Sequence, residues 1–238
     1  MAQDISIFLP MRAGSQRVPG KNTIPFHPDG RSLFQWKLAQ LAKVADEVRE
    51  VIVSSDDGVI RAQFDEMSLP ANFTFSLRPA HLAASTTRLG DLIEHVPQVT
   101  SGEWILWTHV TSPFLDERHL RQAFDRLQTD VIDGTHDSLM SVTPLREYIW
   151  SASQRRIVNV DASVNRWPST QDLEVYYEVN SGFFIAARDL YLRSGDRIGE
   201  NPALFECDKI TAVDVDWPAD FALAKALLPL YDAGREQE

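Results

Sequence analysis

Two hydrophobic periods alternate along the first 142 residues of this 238-residue chain. Short apolar, β-branched runs at residues 5–9 (ISIFL), 50–54 (EVIVS), 73–77, 104–108 and 138–142 read as buried strands. Between them, apolar residues recur at helical spacing. Ser32 is a helix N-cap for a stretch reaching about Val44, with Leu33, Trp36, Leu41 and Val44 on one stripe. Residues 54–57 (SSDD) offer caps for a helix carrying Val59, Ile60, Phe64 and Met67. Further helices are predicted over 89–96 and 117–127. After residue 179 the apolar run NSGFFIAA (180–187) resumes the core. KITAVDVD (209–216) alternates as a strand would. Pro218 opens a closing helix through Phe221, Leu223, Ala224 and Leu227. The tail 234–238 is expected to fray. No internal repeat or low-complexity segment is present.

Strands alternating with helices at this spacing predict βαβ units and an α/β fold with a mostly parallel sheet. In such sheets ligands bind beyond the carboxyl ends of the strands. Residues 10–22, 54–57, Arg78 and 109–113 all fall at predicted strand ends. Over 143–179 the helical period disappears, and short apolar pieces are broken by polar and turn residues. Its aromatics, Tyr148, Trp150, Trp167, Tyr176 and Tyr177, are many for an exposed excursion, and exposed apolar surface usually meets a partner.

Composition narrows the function classes. The formal net charge of −11 argues against nucleic acid as a partner, which usually requires a basic face. The single Cys207 excludes an internal disulfide framework and fits a reducing, cytoplasmic setting. No apolar run reaches the ~18 residues of a membrane span. The opening MAQDISIFLP carries an acid and lacks a basic region, so no signal peptide is expected. An acidic protein that binds a polyanion must concentrate its cations locally. Residues 10–22, PMRAGSQRVPGKN, are such a concentration, with Arg12, Arg17, Lys21, Gly14, Gly20 and Ser15 directly after the first strand.

Glycines let a backbone turn sharply, exposed N–H groups form an anion nest, and Arg and Lys add positive charge. The loop is not a Walker A motif. Five residues rather than four separate Gly14 from Gly20-Lys21, Asn22 replaces the required hydroxyl, and Pro25 disfavours an immediate helix. Asp214 and Asp216 are two apart on the predicted last strand and so share a face, an arrangement that suits Mg²⁺ with substrate phosphates. The six histidines show no metal-ligand spacing, Cys207 has no sequence-adjacent His, and no G-x-S-x-G elbow occurs.

The loop resembles the R-x-G-S-x-R-x-P-x-K-N signature of sugar nucleotidyltransferases, in particular the acylneuraminate cytidylyltransferases (CMP–sialic acid synthetases). TAVDVDWPADFALA resembles that family's I-D-I-D-T-x-x-D-F motif, with Asp220 read here as a helix-terminal charge. RPAHLA from Arg78 resembles its R-P-x-x-L-A segment, TSP at 111–113 its P-T-S-P-L loop, and residues 54–57 its S-T-D-D turn. The resemblance implies a Rossmann-like three-layer nucleotidyltransferase core over 1–142 and 180–238. It also implies that 143–179 is an extension clasping a second subunit, hence a homodimer. It implies catalytic roles for Arg12, Lys21 and Asp216, Mg²⁺ held by Asp214 and Asp216, and a nucleotide held by Leu9, Arg12, Ala13, Gly14, Ser15, Lys21, Asn22 and Arg78. The sugar end would involve His109, Arg166, Asn180 and Phe184.

The departures cluster at that sugar end. His109 stands where the family commonly has Gln, Phe184 where it has Tyr, and Thr170 where it has an Arg that helps hold the sugar carboxylate. Arg166 is a candidate substitute. The expected reaction is transfer of CMP from CTP to the anomeric hydroxyl of a sialic-acid-like 3-deoxy-2-keto acid sugar, with pyrophosphate released. Legionaminic or pseudaminic acid fits the drift better than N-acetylneuraminate. A Kdo or phosphonate cytidylyltransferase, a metal-dependent nucleotide-sugar glycosyltransferase and a nucleotide-binding regulator are the alternatives.

Overall fold

In the computed structural model, which describes residues 3–15, 17–84 and 86–235, seven strands form one sheet in the order β3-β2-β1-β4-β8-β5-β9. These are β1 (Gln3–Pro10), β2 (Val48–Ser55), β3 (Phe73–Leu77), β4 (Trp104–Thr108), β5 (Ser138–Leu145), β8 (Tyr176–Ala187) and β9 (Pro202–Glu206). Only β8 runs antiparallel to its neighbours, β4 and β5. A separate short hairpin joins β6 (Trp150–Ser151) to β7 (Arg156–Ile157).

Alternation along each strand sorts the side chains onto two faces. On one face, Ile5, Ile7 and Leu9 of β1 pack with α1 (Leu33–Leu41), α2 (Gly58–Glu66) and α5 (Glu117–Arg126) through Phe34, Leu38, Ile60, Leu120 and Phe124. On the other, Phe8, Trp107 and Ala186 meet α4 (Leu89–Val99) and α6 (Arg188–Ser194) through Ile93, Val96, Leu190 and Tyr191. A short α3 (Ala80–Ala83) follows β3. The last helix, α7 (Pro218–Arg235), closes a third apolar cluster with Leu33, Trp36 and Phe114 through Ala224, Leu228 and Tyr231. No helix among the described residues is long and apolar enough to cross a membrane.

The α/β class and the mostly parallel sheet are as the sequence pattern predicts, and the three layers are as the resemblance implies. Ser32 caps α1 by accepting from the Gln35 backbone N–H, and Pro218 is the first residue of α7. One element is corrected: residues 209–216 are not a strand. The Asp208 carboxylate accepts from the Ile210 and Thr211 backbone N–H groups at 2.7 and 3.0 Å, which turns the chain. The apolar alternation of Ile210, Val213 and Val215 arises from packing into the cluster beneath α7. The strand at that edge is β9, which lies upstream, and α6 before it also escaped the sequence reading. The expected frayed tail is helical at Gly234 and Arg235, while 236–238 lie outside the described residues.

β5 and β8 continue their ladder to Leu145 and Tyr176, so the excursion begins and returns on a two-stranded ribbon. Asn159 ties the excursion together. Its Oδ1 accepts from Ile149 N at 3.0 Å and its Nδ2 donates to Glu147 O at 2.8 Å. Tyr148 packs edge-on to Trp167 at 5.4 Å. Trp150 and Trp167 are each 63% exposed, and Val164 is 83% exposed.

Candidate active site

The order β2-β1-β4 places a change of winding direction between β1 and β4, and their carboxyl ends open a crevice there. The loop after β1 enters it. Gly14 and Gly20 both adopt positive φ, +72° and +63°, where other residues are strained. Asp56, at the end of β2, accepts from the Ala13 backbone N–H at 2.8 Å and pins the loop's first half.

A cavity of about 360 Å³ results, lined by Arg12, Ser15, Arg17, Lys21, Asn22 and, from the far side, His109, Thr111 and Asp216. Lys21 is buried, and its Nζ donates to Val215 O at 2.5 Å and Asp216 Oδ1 at 3.2 Å. Arg17 Nη1 lies 2.6 Å from Asp216 Oδ2 and its guanidinium stacks on Trp217. The two hydrogen-bonded cations outweigh burial and hold the Asp216 carboxyl below the usual carboxylate range. Asp214 goes the other way: burial raises it, the Asp216 charge adds to the rise, and a Thr111 hydrogen bond opposes it.

Asp216 reaches this position without a strand. The Val215 N–H donates to Thr111 O at 2.8 Å, tying the segment to the loop after β4. Asp220 accepts from the Asp216 and Trp217 N–H groups at 3.1 and 2.7 Å, the helix-capping role expected for it. Three polar side chains of α1 fix the loop after β4. Trp36 Nε1 and Gln40 Nε2 donate to Pro113 O, and the fully buried Lys37 Nζ donates to Ser112 O and Leu115 O at 2.8 and 2.6 Å. Sequence reading missed this clamp. Its signal is a lysine inside the apolar stripe of a helix.

The remaining predicted residues are distributed more widely. Ala13 and Gly14 shape the loop without lining the cavity. Leu9 is fully buried in the core. Arg78 is buried at the end of β3, donating to Ser54 O at 2.8 Å, and shares a second cavity with Asp56, Pro79 and Ala80. Burial lowers the Arg78 pKa to about 10. His109 is held neutral down to about 3 by burial, with Arg197, Lys37 and Lys21 lowering it further and Asp216 opposing. Asn180 is engaged within the protein. Its Oδ1 accepts from Ser141 Oγ and Gly182 N, and its Nδ2 donates to Thr143 Oγ1, stitching a bulge where Ser181 has φ +58°. Phe184 is buried under Arg197. Arg166 lines a separate cavity with Trp150 and Trp167, away from the β1 loop.

The profile of the family described as "Cytidylyltransferase" matches residues 6–237. The chain belongs to the cytidylyltransferase family. Over 232 residues it is 26% identical to an N-acylneuraminate cytidylyltransferase of Escherichia coli O18:K1:H7 (strain RS218 / NMEC), covering 94% of this chain and 52% of that one. It spans only about half the length of this relative and of the Streptococcus agalactiae relatives named alike. A CMP-N,N'-diacetyllegionaminic acid synthase of Legionella pneumophila is 26% identical over 93% of this chain and 95% of that one. Among solved structures, a CMP:2-keto-3-deoxy-manno-octonic acid synthetase complexed with CTP superposes with a TM-score of 0.68 at 16% identity, covering 95% of this chain and 98% of that one. At that identity the likeness is one of fold.

Proposed function

We propose that this chain transfers CMP from CTP to the anomeric hydroxyl of a sialic-acid-like 3-deoxy-2-keto acid sugar. The observation that carries the reading is the meeting of Arg12, Arg17 and Lys21 with Asp216 in one crevice at the ends of β1 and β4. Three cations in a glycine-turned loop can neutralise a triphosphate and its departing pyrophosphate. The bond from the sugar oxygen to the α-phosphorus forms as the bond from that phosphorus to the pyrophosphate oxygen breaks, and the hydroxyl proton is released. Such transfers depend on positioning and charge neutralisation more than on covalent help from the protein. Relatives named for neuraminate, legionaminate and pseudaminate support an acidic nine-carbon-type sugar as the acceptor class.

The donor chemistry fits Mg²⁺. Asp216 lines the crevice, and Asp214, two residues away and with its pKa raised chiefly by burial, lies close enough to feel the Asp216 and Lys21 charges and to bond Thr111 of the crevice wall. Mg²⁺ takes one or two carboxylates and completes its shell with phosphate oxygens and water. Bound there, Mg²⁺ would screen phosphate charge. The exposed Trp150, Val164 and Trp167 of the excursion support a homodimer in which this surface is covered.

The decisive test is pyrophosphate release from purified protein given CTP, Mg²⁺ and a panel of N-acetylneuraminate, N,N'-diacetyllegionaminate, pseudaminate and Kdo. Turnover is expected with a nine-carbon acid other than N-acetylneuraminate. Best turnover with N-acetylneuraminate would reject the sugar assignment, best turnover with Kdo would move the chain to the alternative class, and none with any acid would reject the reaction.

A further inference from the structure

Arg197 follows α6 and is 9% exposed. Its guanidinium carbon lies 3.8 Å from the Phe184 ring centroid and 4.7 Å from that of Trp107. Among the described residues its buried Nη1 has no hydrogen-bond partner, and burial lowers the Arg197 pKa with Tyr191 and Asp196 opposing. The adjacent Asp196 carboxylate is engaged by the Arg197 and Ile198 backbone N–H groups. Two further buried groups around it are also unpartnered, Trp107 Nε1 and Tyr191 Oη. Tyr191 and Trp107 belong to the same apolar cluster.

A buried guanidinium nitrogen without a hydrogen-bond partner, beside two further unpartnered buried donors, leaves a hydrogen-bonding demand that the stacked rings do not meet. A neutral water molecule can accept only two hydrogen bonds and balances no charge. A carboxylate offers about four lone-pair sites and the missing charge. The cluster also adjoins the crevice. Trp107 and His109 are two apart at the end of β4, their rings 6.0 Å apart, and His109 lines the cavity of the β1 loop.

We propose that Arg197, Trp107 and Tyr191 form a buried anion subsite behind His109, and that it receives the carboxylate of the acceptor sugar. The proposal rests on the reaction assigned above and adds the residue that selects an acid over a neutral sugar. His109 would shield the subsite, and Arg197 would be a substrate-touching residue rather than a core brace.

The test uses whichever acid of the panel the wild type turns over best, together with its carboxamide. In Arg197→Met the KM for the acid is expected to rise roughly 10- to 100-fold, the loss expected for a charged hydrogen bond. The KM for CTP should stay within about two-fold, and the preference for acid over carboxamide should vanish. Tyr191→Phe should raise the acid KM by a smaller factor. Retention of the acid preference in Arg197→Met overturns the proposal. If that variant does not fold, an unchanged acid KM in Tyr191→Phe overturns it. The Trp107 indole N–H resonance, assigned through Trp107→Phe, is read in parallel with each of the four panel acids alone. It should shift on saturation, and an unmoved resonance counts against the subsite. Wild type that releases no pyrophosphate with any acid overturns the reaction instead, and the indole resonance still reports on the subsite by itself.

Discussion

Lys21 and Asp216 lie 195 positions apart in the chain and meet at 3.2 Å from Nζ to Oδ1. Lys21 also reaches the Val215 carbonyl, so the first loop grips the late acidic segment through both a side chain and the backbone. Lys21→Ala should therefore lower pyrophosphate release by about 10²–10³-fold, the usual effect of deleting one charge-stabilising donor. Arg17, which is exposed and meets Asp216 and the Trp217 ring at the solvent side, should matter less. Initial rates of both variants at saturating CTP check the order. Nearly normal turnover in Lys21→Ala would remove the assignment.

Lys37 supplies a pH signature. Burial lowers its pKa to about 7, against 10.5 for the free side chain, with Asp116 and Glu117 opposing. Between those values the unfolded chain binds a proton that the folded chain does not, so stability rises with pH across that window. The burial penalty is fully present below about pH 7. The slope should approach roughly 1.4 kcal/mol per pH unit. Denaturant unfolding of wild type and Lys37→Met from pH 6.5 to 10 should show this rise in the wild type alone. Parallel slopes would contradict it.

His109 should contribute no ionisation to the pH–rate profile between 5 and 8, because its imidazole stays neutral down to about 3. The sign for stability follows from the lowered value: an unfolded His protonates near 6.5, so the contribution is present above that and is lost as pH falls toward 3. His109→Gln should leave the profile's inflections in place while changing the relative KM values of the acid sugars. A lost inflection in that variant would mean that His109 titrates.

Asp220→Ala removes the acceptor for the Asp216 and Trp217 N–H groups at the start of α7. A stability loss of about 0.5–2 kcal/mol is expected from the missing cap. Turnover should fall as well, since the segment carrying Asp216 loses one of its few anchors. Thermal unfolding and initial rates measured on the same preparation separate the two effects.

Much of the fold was legible because strands β1 to β4 carry short runs of aliphatic and aromatic residues and their helices carry clear caps such as Ser32 and Asp57. Residues 209–216 misled because packing of Ile210, Val213 and Val215 under α7 imitates strand alternation, while the turn at Asp208 is a local hydrogen-bonding effect that alternation does not register. At the site, the β1 loop was legible from the local density of glycines and cations. The Lys37 clamp and the Arg197 cluster were not, because each joins single residues from distant elements with no shared motif. Asn180 shows the converse: it sits in a motif-like stretch, yet its carboxamide secures a bulge.

The single backbone bond from Val215 to Thr111, with Lys21 beside it, has a consequence for how fragments of this chain behave. A truncation at residue 208 would retain the glycine-bearing turn, its Asp56 anchor and the described strands while losing Asp214, Asp216 and the helix α7 that follows them. Nucleotide retention by such a piece would measure the bare basic loop, and the difference from the whole protein would measure long-range closure. Affinity in this molecule is thus a reporter of complete folding, readable without any spectroscopic label.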